Sequence, residues 1–301
     1  MAVQPYGENL RLIDLDLPRE GFRTFISSWL YRPGDLTILV DPGPRSTIPV
    51  LLEALKTEGI DTLDYILLTH IHVDHAGGAG LLLARYPDAR VICHPQGIRH
   101  MIDPAKLWEG SRKVLGEIAE AYGEIAPIPS GSIGFEERIE KGTLVIAAFE
   151  TPGHASHHIC FLIGETLFAG EVAGINYPFR DGELYLRPAT PPPFSYEIYR
   201  GSLEKASLLG AARLCFGHYG ARTDSGNVFT LALAQLDNWL ATVKKYRDNQ
   251  PDSFEEPVFA DLLAHDRGLR RYHELPPDIQ ARERYFSFNS IRGMREYLLK
   301  R

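Results

Sequence analysis

The residues best suited to chemistry in this chain stand in one short run, His70-Ile71-His72-Val73-Asp74-His75. Four of its six side chains are imidazoles or carboxylates, which zinc, iron and manganese all accept as ligands. The two histidines at 70 and 72 point to the same face of an extended backbone. After the chain turns, the Asp-His pair can face a second position a few ångströms away. A lone histidine is ordinarily structural, but four ligand-type residues at this spacing predict a metal site.

The element that must position this run is an apolar stretch over residues 63–68, directly before His70. Its leucine-rich and β-branched composition predicts a buried strand that delivers ligands at its C-terminal end. Gly77 and Gly78 follow the run, and glycine permits the tight backbone path needed to leave such a site. The predicted site therefore lies where a buried strand ends.

Three later positions repeat the pattern of an apolar strand, a glycine and then a possible ligand. They are His154 after residues 143–149, Glu171 after residues 166–169 and His218 after residues 213–216. A glycine beside a ligand lets the backbone approach a crowded centre closely. Strand ends that carry ligands in this way are expected to meet at one site.

Composition limits the class of protein. The chain has 301 residues, of which 44% are hydrophobic and 24% charged, as in ordinary globular proteins. Its net charge of −7 argues against nucleic acid as a main partner. Three isolated cysteines without a CxxC pair indicate a reducing compartment rather than a disulfide framework. The sequence shows no secretory signal and no membrane-spanning run, so it predicts a cytoplasmic protein without a membrane partner.

Strand and helix patterns alternate along the first half of the chain and recur in the second. Strands are predicted over residues 11–15, 24–31, 36–40, 90–94, 143–149, 159–163, 166–169 and 213–216, and helices over 48–58, 78–86, 100–125, 196–209 and 228–247. Residues 174–194 are rich in proline and predict a long irregular segment, whereas residues 251–301 predict a charged helical tail. Two such halves around one site favour an α+β fold, a four-layer αββα sandwich with helices outside two sheets.

The run and the three later positions resemble, in order, the metallo-β-lactamase fold superfamily. The family pattern is HxHxDH followed by a His, an Asp and a His, each on a strand-end loop. The similarity covers residues 70–218 and is greatest to the glyoxalase II and acyl-homoserine lactonase neighbourhood. It implies a metal-binding domain over residues 1–225 and a C-terminal helical extension over 226–301, which would act as a cap or an interface.

The resemblance also implies a set of metal ligands. The first metal would be bound by His70, His72 and His154, and the second by Asp74, His75 and His218. Two zinc ions are expected, and iron or manganese would also suit these ligands.

Glu171 stands where the family has an Asp that bridges both ions. Its extra methylene moves the carboxylate by about one bond length, whereas metal distances tolerate only about 0.2 Å. Either the local backbone retreats to compensate, or Glu171 binds one ion only. A site that holds a single metal is therefore one of the two alternatives.

The resemblance implies hydrolysis of a small-molecule ester, thioester or lactone by a metal-bound hydroxide. Asp74 is the predicted catalytic residue, which would orient the hydroxide and handle the proton. Two alternatives on the same fold are an iron-dependent oxidoreductase similar to persulfide dioxygenases and a metal-binding protein whose catalysis Glu171 has weakened. A homodimer is compatible with the sequence.

Side chains close to the predicted ligands are candidates for substrate contacts. The candidates are Tyr177, Arg180, Tyr185, Tyr219 and Arg222. The first three lie in the proline-rich segment after Glu171, and the other two follow His218. A phenol near the second metal could donate to a developing oxyanion, and an arginine could pair with a substrate carboxylate.

Overall fold

The protein folds around two β-sheets in a computed structural model that describes residues 3–248 and 254–301. The first sheet has seven strands in chain order. Its strands are β1 (Val3–Pro5), β2 (Leu10–Asp14), β3 (Ser27–Tyr31), β4 (Ile38–Val40), β5 (Tyr65–Leu67), β6 (Arg90–Ile92) and β7 (Ile133–Gly134). The first four pair antiparallel, whereas β4 to β7 pair parallel. The carboxyl ends of the parallel strands therefore lie at one edge of this sheet.

The second sheet has six strands in the order β15-β14-β11-β10-β9-β8. These are β8 (Arg138–Lys141), β9 (Leu144–Glu150), β10 (Ile159–Ile163), β11 (Thr166–Gly170), β14 (Arg213–Phe216) and β15 (Ala221–Arg222). Only the β11–β14 pair is parallel. Because both of these strands run in the same direction, the residues that follow them, including Glu171 and His218, emerge at the same edge.

The two sheets pack face to face, and side chains alternate between the inner and outer faces. In β4, Ile38 and Val40 belong to the core between the sheets, whereas Leu39 faces the outer layer. In β11, Phe168 points inward between its outward-facing neighbours Leu167 and Ala169. Since both faces are covered, these strands are continuous apolar runs rather than alternating ones.

Helices cover the outer face of each sheet. The first sheet carries α1 (Ile48–Thr57), α2 (Val73–Ala76), α3 (Ala79–Arg85), α4 (Pro95–Ile102), α5 (Ala105–Leu115) and α6 (Glu117–Tyr122). The second carries α7 (Tyr196–Ser207), α8 (Ser225–Tyr246), α9 (Glu255–His265) and α10 (Pro277–Leu299). This arrangement confirms the predicted αββα sandwich and its C-terminal helices.

Two predictions of local structure are wrong. The single helix predicted over residues 100–125 is divided, because Pro104 precedes α5 and Gly116, with φ of 56°, ends it. Residues 174–194 contain a hairpin, formed by β12 (Ile175–Pro178) and β13 (Leu184–Arg187). Gly182, with φ of 78°, lies in the turn between these strands. The Asp-Gly pair at 181–182 is a hairpin signal that the five prolines of this segment obscured.

The C-terminal helices share their core with the second sheet. Trp239 of α8 and Ile291 of α10 are fully buried in the same cluster as Leu214 and Phe216 of β14. In this region, residues 251–253 at the start of the predicted helical tail lie outside the described residues. Within residues 3–248 and 254–301, no helix is both long enough and apolar enough to cross a bilayer.

A partly buried carboxyl group in β2, that of Asp14, makes stability depend on pH. Burial, together with the neighbouring Asp16, raises the pKa of Asp14 from 3.8 to about 7, although the Tyr219 hydroxyl donates to Asp14 Oδ2 at 2.7 Å. Between these two pH values the native state keeps a proton that the unfolded chain has lost. This group's contribution to stability is therefore present below about pH 4 and is lost as the pH rises to about 7.

Replacing Asp14 with asparagine removes this titration and keeps an acceptor for Tyr219. We expect the melting temperature of Asp14→Asn, relative to wild type, to rise between pH 4.5 and about pH 7 and to level off towards pH 8. Thermal unfolding followed by circular dichroism across that range measures the difference. An exposed acid such as Glu165, replaced by glutamine, serves as the control, and a difference for Asp14→Asn that does not change with pH would contradict the prediction.

Candidate metal centre

The candidate ligands are carried by the ends of four strands. His70 follows β5, and His72 lies at the N-terminal boundary of the short helix α2, which carries the Asp-His pair of the motif. His154 follows β9, Glu171 follows β11, and His218 follows β14. The buried strand predicted before the motif is present, and the strand ends meet in space as expected.

The seven candidate side chains form two groups, in each of which the possible ligand atoms lie within 4.8 Å of one another. The first group is His70, His72, His154 and Glu171, and the second is Asp74, His75 and His218. The Nε2 atom of His154 lies 3.0 Å from Nδ1 of His72. Such a short distance between two imidazole nitrogens shows that both are aimed at the same point.

Glu171 lies between the two groups, and each of its carboxylate oxygens faces one of them. Oε2 is 2.6 Å from Nε2 of His154 and 3.2 Å from Nε2 of His70. Oε1 is 3.0 Å from Nε2 of His218. The side chain is only 5% exposed. Despite its extra methylene, Glu171 is therefore within reach of both groups.

The backbone around Glu171 is held on both sides. Its N–H donates to Nε2 of His158 at 3.0 Å, and its carbonyl accepts from the Tyr199 hydroxyl at 3.0 Å. Gly170 has a φ of 54°, and a Cβ atom there would lie 2.3 Å from Nε2 of His158. Only glycine fits this conformation and this space.

A second glycine brings two ligands together. The N–H of Gly217 donates to the carbonyl of Gly170 at 2.7 Å. A Cβ atom on Gly217 would lie 3.0 Å from the Gly170 backbone, closer than side chains normally pack. The absence of a side chain lets the ends of β11 and β14 touch. The residues that follow, Glu171 and His218, are thereby set next to each other.

The imidazoles of His154 and His218 use Nδ1 for support and turn Nε2 toward the centre. Nδ1 of His154 lies 3.1 Å from the carbonyl of Ala189, and Nδ1 of His218 lies 3.3 Å from the carbonyl of Phe25. Since a carbonyl only accepts, these Nδ1 atoms donate, which leaves each Nε2 to face Glu171. Fixing the tautomer through the outer nitrogen is typical of metal-binding histidines.

Asp41 supports the motif by hydrogen bonding. Its Oδ2 lies 3.2 Å from Nδ1 of His75 and accepts from the Thr69 hydroxyl at 2.6 Å. The same hydroxyl oxygen lies 3.1 Å from Nδ1 of His70. Asp41 has a φ of 50°, a conformation that Asp tolerates better than most residues. One carboxylate therefore orients two candidate ligands.

The protonation states suit metal ligands. Burial lowers the pKa of His70 and of His72 well below the ordinary value, so both imidazoles are neutral near pH 7. Burial alone would raise the pKa of Glu171, but His154 and His218 hold it well below its usual range, so the carboxylate is ionised. Neutral imidazole and ionised carboxylate are the forms that coordinate a cation.

His75 differs from the other buried histidines of the motif. Burial acts to lower its pKa, but the carboxylates of Asp74, Asp41 and Glu171 outweigh it and raise the pKa to about 9. The imidazolium is thus stabilised by three acids around one position. A site that collects so much negative charge is suited to a cation.

Two buried nitrogen atoms show that the residues present fit a metal. Nε2 of His70 and Nε2 of His75 are inaccessible to solvent and have no hydrogen-bond partner among the described residues. Buried polar atoms normally find partners, and an ion is one explanation for those that do not. Imidazole nitrogens and carboxylate oxygens together suit zinc, iron and manganese.

Comparison with known proteins agrees with this geometry. The profile of the Metallo-beta-lactamase superfamily matches residues 21–218. The chain belongs to the metallo-β-lactamase superfamily. The matched region ends at His218, the last of the candidate ligands, and includes all the others.

Several members of the superfamily are similar over much of this chain. The metallo-beta-lactamase fold-containing protein ST1585 of Sulfurisphaera tokodaii is 31% identical over 192 residues, which are 62% of this chain and 69% of that protein. The hydroxyacylglutathione hydrolase of Cupriavidus taiwanensis is 27% identical over 255 residues, 81% of this chain and 80% of that enzyme. The crystal structure of ST1585 from Sulfolobus tokodaii has a TM-score of 0.67 at 24% identity and covers 95% of this chain and 98% of that chain. This last similarity shows the fold.

In this member of the superfamily, the two groups open into a cavity of about 640 Å³. The candidate ligands that line it are His72, Asp74, His154, Glu171 and His218. Apolar side chains of α5 and the prolines at 191–193 form much of its wall. Helix α10 contributes Phe286 and Asn289, so the C-terminal extension lines the cavity as well as covering the second sheet.

The five side chains predicted to contact substrate do not line this cavity. Tyr185 is fully buried and donates to Glu283, whereas Tyr219 donates to Asp14 in the first sheet. Arg222 pairs with Asp224 at 2.8 Å and 2.9 Å. Tyr177 and Arg180 lie in the β12–β13 hairpin and its turn. Their positions give the predicted substrate contacts no support.

Three residues of the site were not found from the sequence. Phe25 stacks on His218, with ring centroids 4.1 Å apart. Phe286 comes from α10, far along the chain, and no local pattern marks it. Arg187 ends the apolar strand β13, which is the same strand-then-polar pattern that marked the ligands. That pattern could have drawn attention to Arg187.

Proposed function

We propose that this protein is a metal-dependent hydrolase of a small ester, thioester or lactone. The observation that carries the proposal is the position of Glu171, whose two carboxylate oxygens face two separate groups of candidate ligand atoms. A carboxylate placed in this way is suited to bridging two cations. The adjoining cavity of about 640 Å³ is large enough for a small organic substrate.

The ligand groups define which residues would hold metal. His70, His72 and His154 would hold one ion, Asp74, His75 and His218 the other, and Glu171 would contact both. Two divalent ions at such a site supply Lewis-acid chemistry, which lowers the pKa of water and polarises a carbonyl oxygen.

Asp74 is the residue that we assign to proton transfer. Its Oδ2 lies 3.7 Å from Nε2 of His75 and 3.8 Å from Nε2 of His218, and its side chain, 16% exposed, borders the cavity. A carboxylate here can accept a hydrogen bond from the attacking water. It can then hold the proton until the leaving group takes it.

The comparison with hydroxyacylglutathione hydrolase supports the choice of substrate class. That name describes removal of an acyl group from glutathione, and the similarity extends over 81% of this chain. Acyl thioesters and esters are therefore the compounds to test first.

The test combines metal analysis with an assay of hydrolysis. The protein is purified without added metal, and zinc, iron and manganese per chain are measured by mass spectrometry. The same sample is assayed against matched thioesters, esters and lactones. We expect about two divalent ions per chain and turnover of an acyl compound, both of which fall in Asp74→Asn.

Two other results would contradict the proposal. One iron per chain, with oxygen consumption and no hydrolysis, would contradict it in favour of an oxidoreductase on this fold. One tightly held ion without turnover of any compound would indicate a metal-binding protein with weakened catalysis. An exposed acid near the site in sequence, Glu150, replaced by glutamine, is the control for the effect of losing a charge.

A further inference from the structure

A buried charge cluster joins the cavity wall to the C-terminal extension. It consists of Arg187 at the end of β13 together with Arg282 and Glu283 of α10, all at most 5% exposed. We call it the Glu283 cluster. Two cations and one anion leave it with one excess positive charge. A buried excess charge is costly unless a partner neutralises it.

All three nitrogen atoms of the Arg282 guanidinium have partners within the protein. Its Nε and its second amino group bond to Oε1 of Glu283 at 3.0 Å and 2.9 Å. Its remaining amino group donates to the carbonyls of Gly21 and Arg23 at 2.8 Å and 3.2 Å. The excess charge of the cluster therefore does not lie on Arg282.

Only one nitrogen of the Arg187 guanidinium makes a hydrogen bond among the described residues. Its Nε donates to Oε2 of Glu283 at 2.5 Å, and Glu283 is its only ion-pair partner in the described part of the chain. The two terminal amino groups bond to no group of residues 3–248 or 254–301. Neither amino group is fully enclosed by protein, and Arg187 lines the cavity. The unpaired side of the guanidinium therefore borders the cavity.

The surroundings place Arg187 close to the candidate metal centre. Two residues after it, the carbonyl of Ala189 holds the imidazole of His154. The Arg187 guanidinium carbon lies 5.5 Å from the ring of Phe286, whose centroid is 5.5 Å from that of Phe25, the residue stacked on His218. The guanidinium thus shares a wall of the cavity with both groups of ligands.

Asn289 adds a second unused polar group on this wall. It lines the cavity one helical turn beyond Phe286, and its side-chain amide has no partner among the described residues. Helix α5 forms a mostly apolar part of the wall with Leu107, Val114 and Leu115, although its Lys106 also lines the cavity. The cavity therefore has a hydrogen-bonding region around Arg187 and Asn289 and a larger apolar surface.

We propose that the free face of Arg187 binds a carboxylate of the substrate. This inference rests on the proposed function, because it names the class of acyl compound that the same site hydrolyses. A guanidinium with two parallel N–H groups matches a carboxylate in a bidentate pair. One excess charge matches a monoanionic carboxylate better than a phosphate dianion. The substrate is thus an acyl thioester or ester whose acyl part carries a carboxylate and whose remainder is apolar.

The test uses two substrates that differ only in this group. One is a phenyl thioester of a short dicarboxylic acid with its free carboxylate, and the other carries a primary amide in place of that carboxylate. We expect kcat/KM to favour the carboxylate by at least about tenfold in the wild type, the size expected for a charge-assisted pair. Arg187→Met should remove the preference. A preference for a phosphorylated analogue over the carboxylate would overturn the assignment.

A matched variant separates a specific pair from a general effect of charge. Lys106 of α5 also lines the cavity and has a flexible aliphatic chain, and Lys106→Met removes the same charge from a different helix. We expect the preference to persist in Lys106→Met. An equal loss of preference in both variants, or a loss in Lys106→Met alone, would overturn the proposal.

A binding measurement keeps the inference separate from the reaction. Calorimetry compares 4-phenylbutyrate with 4-phenylbutyramide as probes of the wild type and Arg187→Met, and only the carboxylate should lose affinity, by about tenfold. Turnover without a carboxylate preference would overturn this inference and leave the proposed function standing. Arg187-dependent binding without turnover of any acyl compound would overturn the proposed function and leave this inference standing.

If Arg187→Met does not fold, Arg187→Lys gives the same test. Lysine keeps the charge beside Glu283, but its single ammonium cannot also present two parallel N–H groups to the cavity. The preference for the carboxylate should therefore fall in Arg187→Lys as well. A preference that is unchanged in this folded variant would overturn the proposal.

Discussion

Replacing Glu171 with glutamine is expected to lower kcat/KM for the hydrolysed acyl compound by about a thousandfold, equivalent to about 4 kcal/mol. Glutamine keeps the size of the side chain but loses the charge that faces both His154 and His218. Under the proposed function, it would also leave two cations without a shared carboxylate. We therefore expect metal content to fall from about two ions per chain to one or fewer.

Metal analysis and steady-state kinetics on the same preparation measure this effect. Glu165→Gln is the matched control, because this exposed acid lies in the turn before β11 and makes no side-chain contact with the centre. Full metal content and activity in Glu171→Gln would show that Glu171 does not bridge the two groups.

Glu171→Asp tests the reach of the same side chain. In the structure the glutamate carboxylate already lies within 3.2 Å of ligand nitrogens in both groups. Shortening the side chain by about one bond length should draw it away from them, and metal ligation tolerates little displacement. We expect lower metal content and activity than in the wild type. Higher metal content and higher activity than in the wild type would mean that glutamate keeps the centre from the geometry that aspartate gives in the family.

Ending the chain at residue 225 is expected to abolish folding, because α8, α9 and α10 complete the core over the second sheet. A fully buried large apolar side chain contributes about 1.5–3 kcal/mol, whereas a whole domain is stable by only about 5–15 kcal/mol. The truncation removes many such side chains at once. Among them are Leu236, Trp239, Val243, Phe254, Ile279, Ile291 and Met294.

Circular dichroism and size-exclusion chromatography of the truncated chain measure this prediction. We expect no cooperative thermal transition and a larger hydrodynamic radius than the full chain has. A chain ending at residue 299 is the control, since it removes only the exposed residues after α10. A chain of 225 residues that melts cooperatively and binds metal would show that the C-terminal helices form a separate unit.

The fold and the candidate ligands could be predicted because both depend on local patterns. His70, Glu171 and His218 each follow an apolar strand, and strand ends in a layered sheet structure meet at one edge. The resemblance to the family also depends on the order of the ligand residues along the chain. The strand-end pattern and the resemblance together were therefore enough to predict that these side chains meet.

The wall of the cavity could not be predicted in the same way. Phe286 and Asn289 reach the site through the packing of a distant helix, which no local pattern records. Tyr219 was predicted beside the second metal because it follows His218, but adjacent residues near a strand end point to opposite sides. Its hydroxyl accordingly reaches Asp14 in the first sheet rather than the cavity.

The contact between Gly217 and Gly170 has a consequence for how the centre is assembled. A single backbone hydrogen bond of 2.7 Å ties together the two strand ends that carry His218 and Glu171. Their separation is therefore fixed when the sheet forms, before any cation arrives. The entropy of bringing these two ligands together is lost during folding rather than during binding. The spacing that the sheet sets between Glu171 and His218 therefore limits which cations these two side chains could hold together.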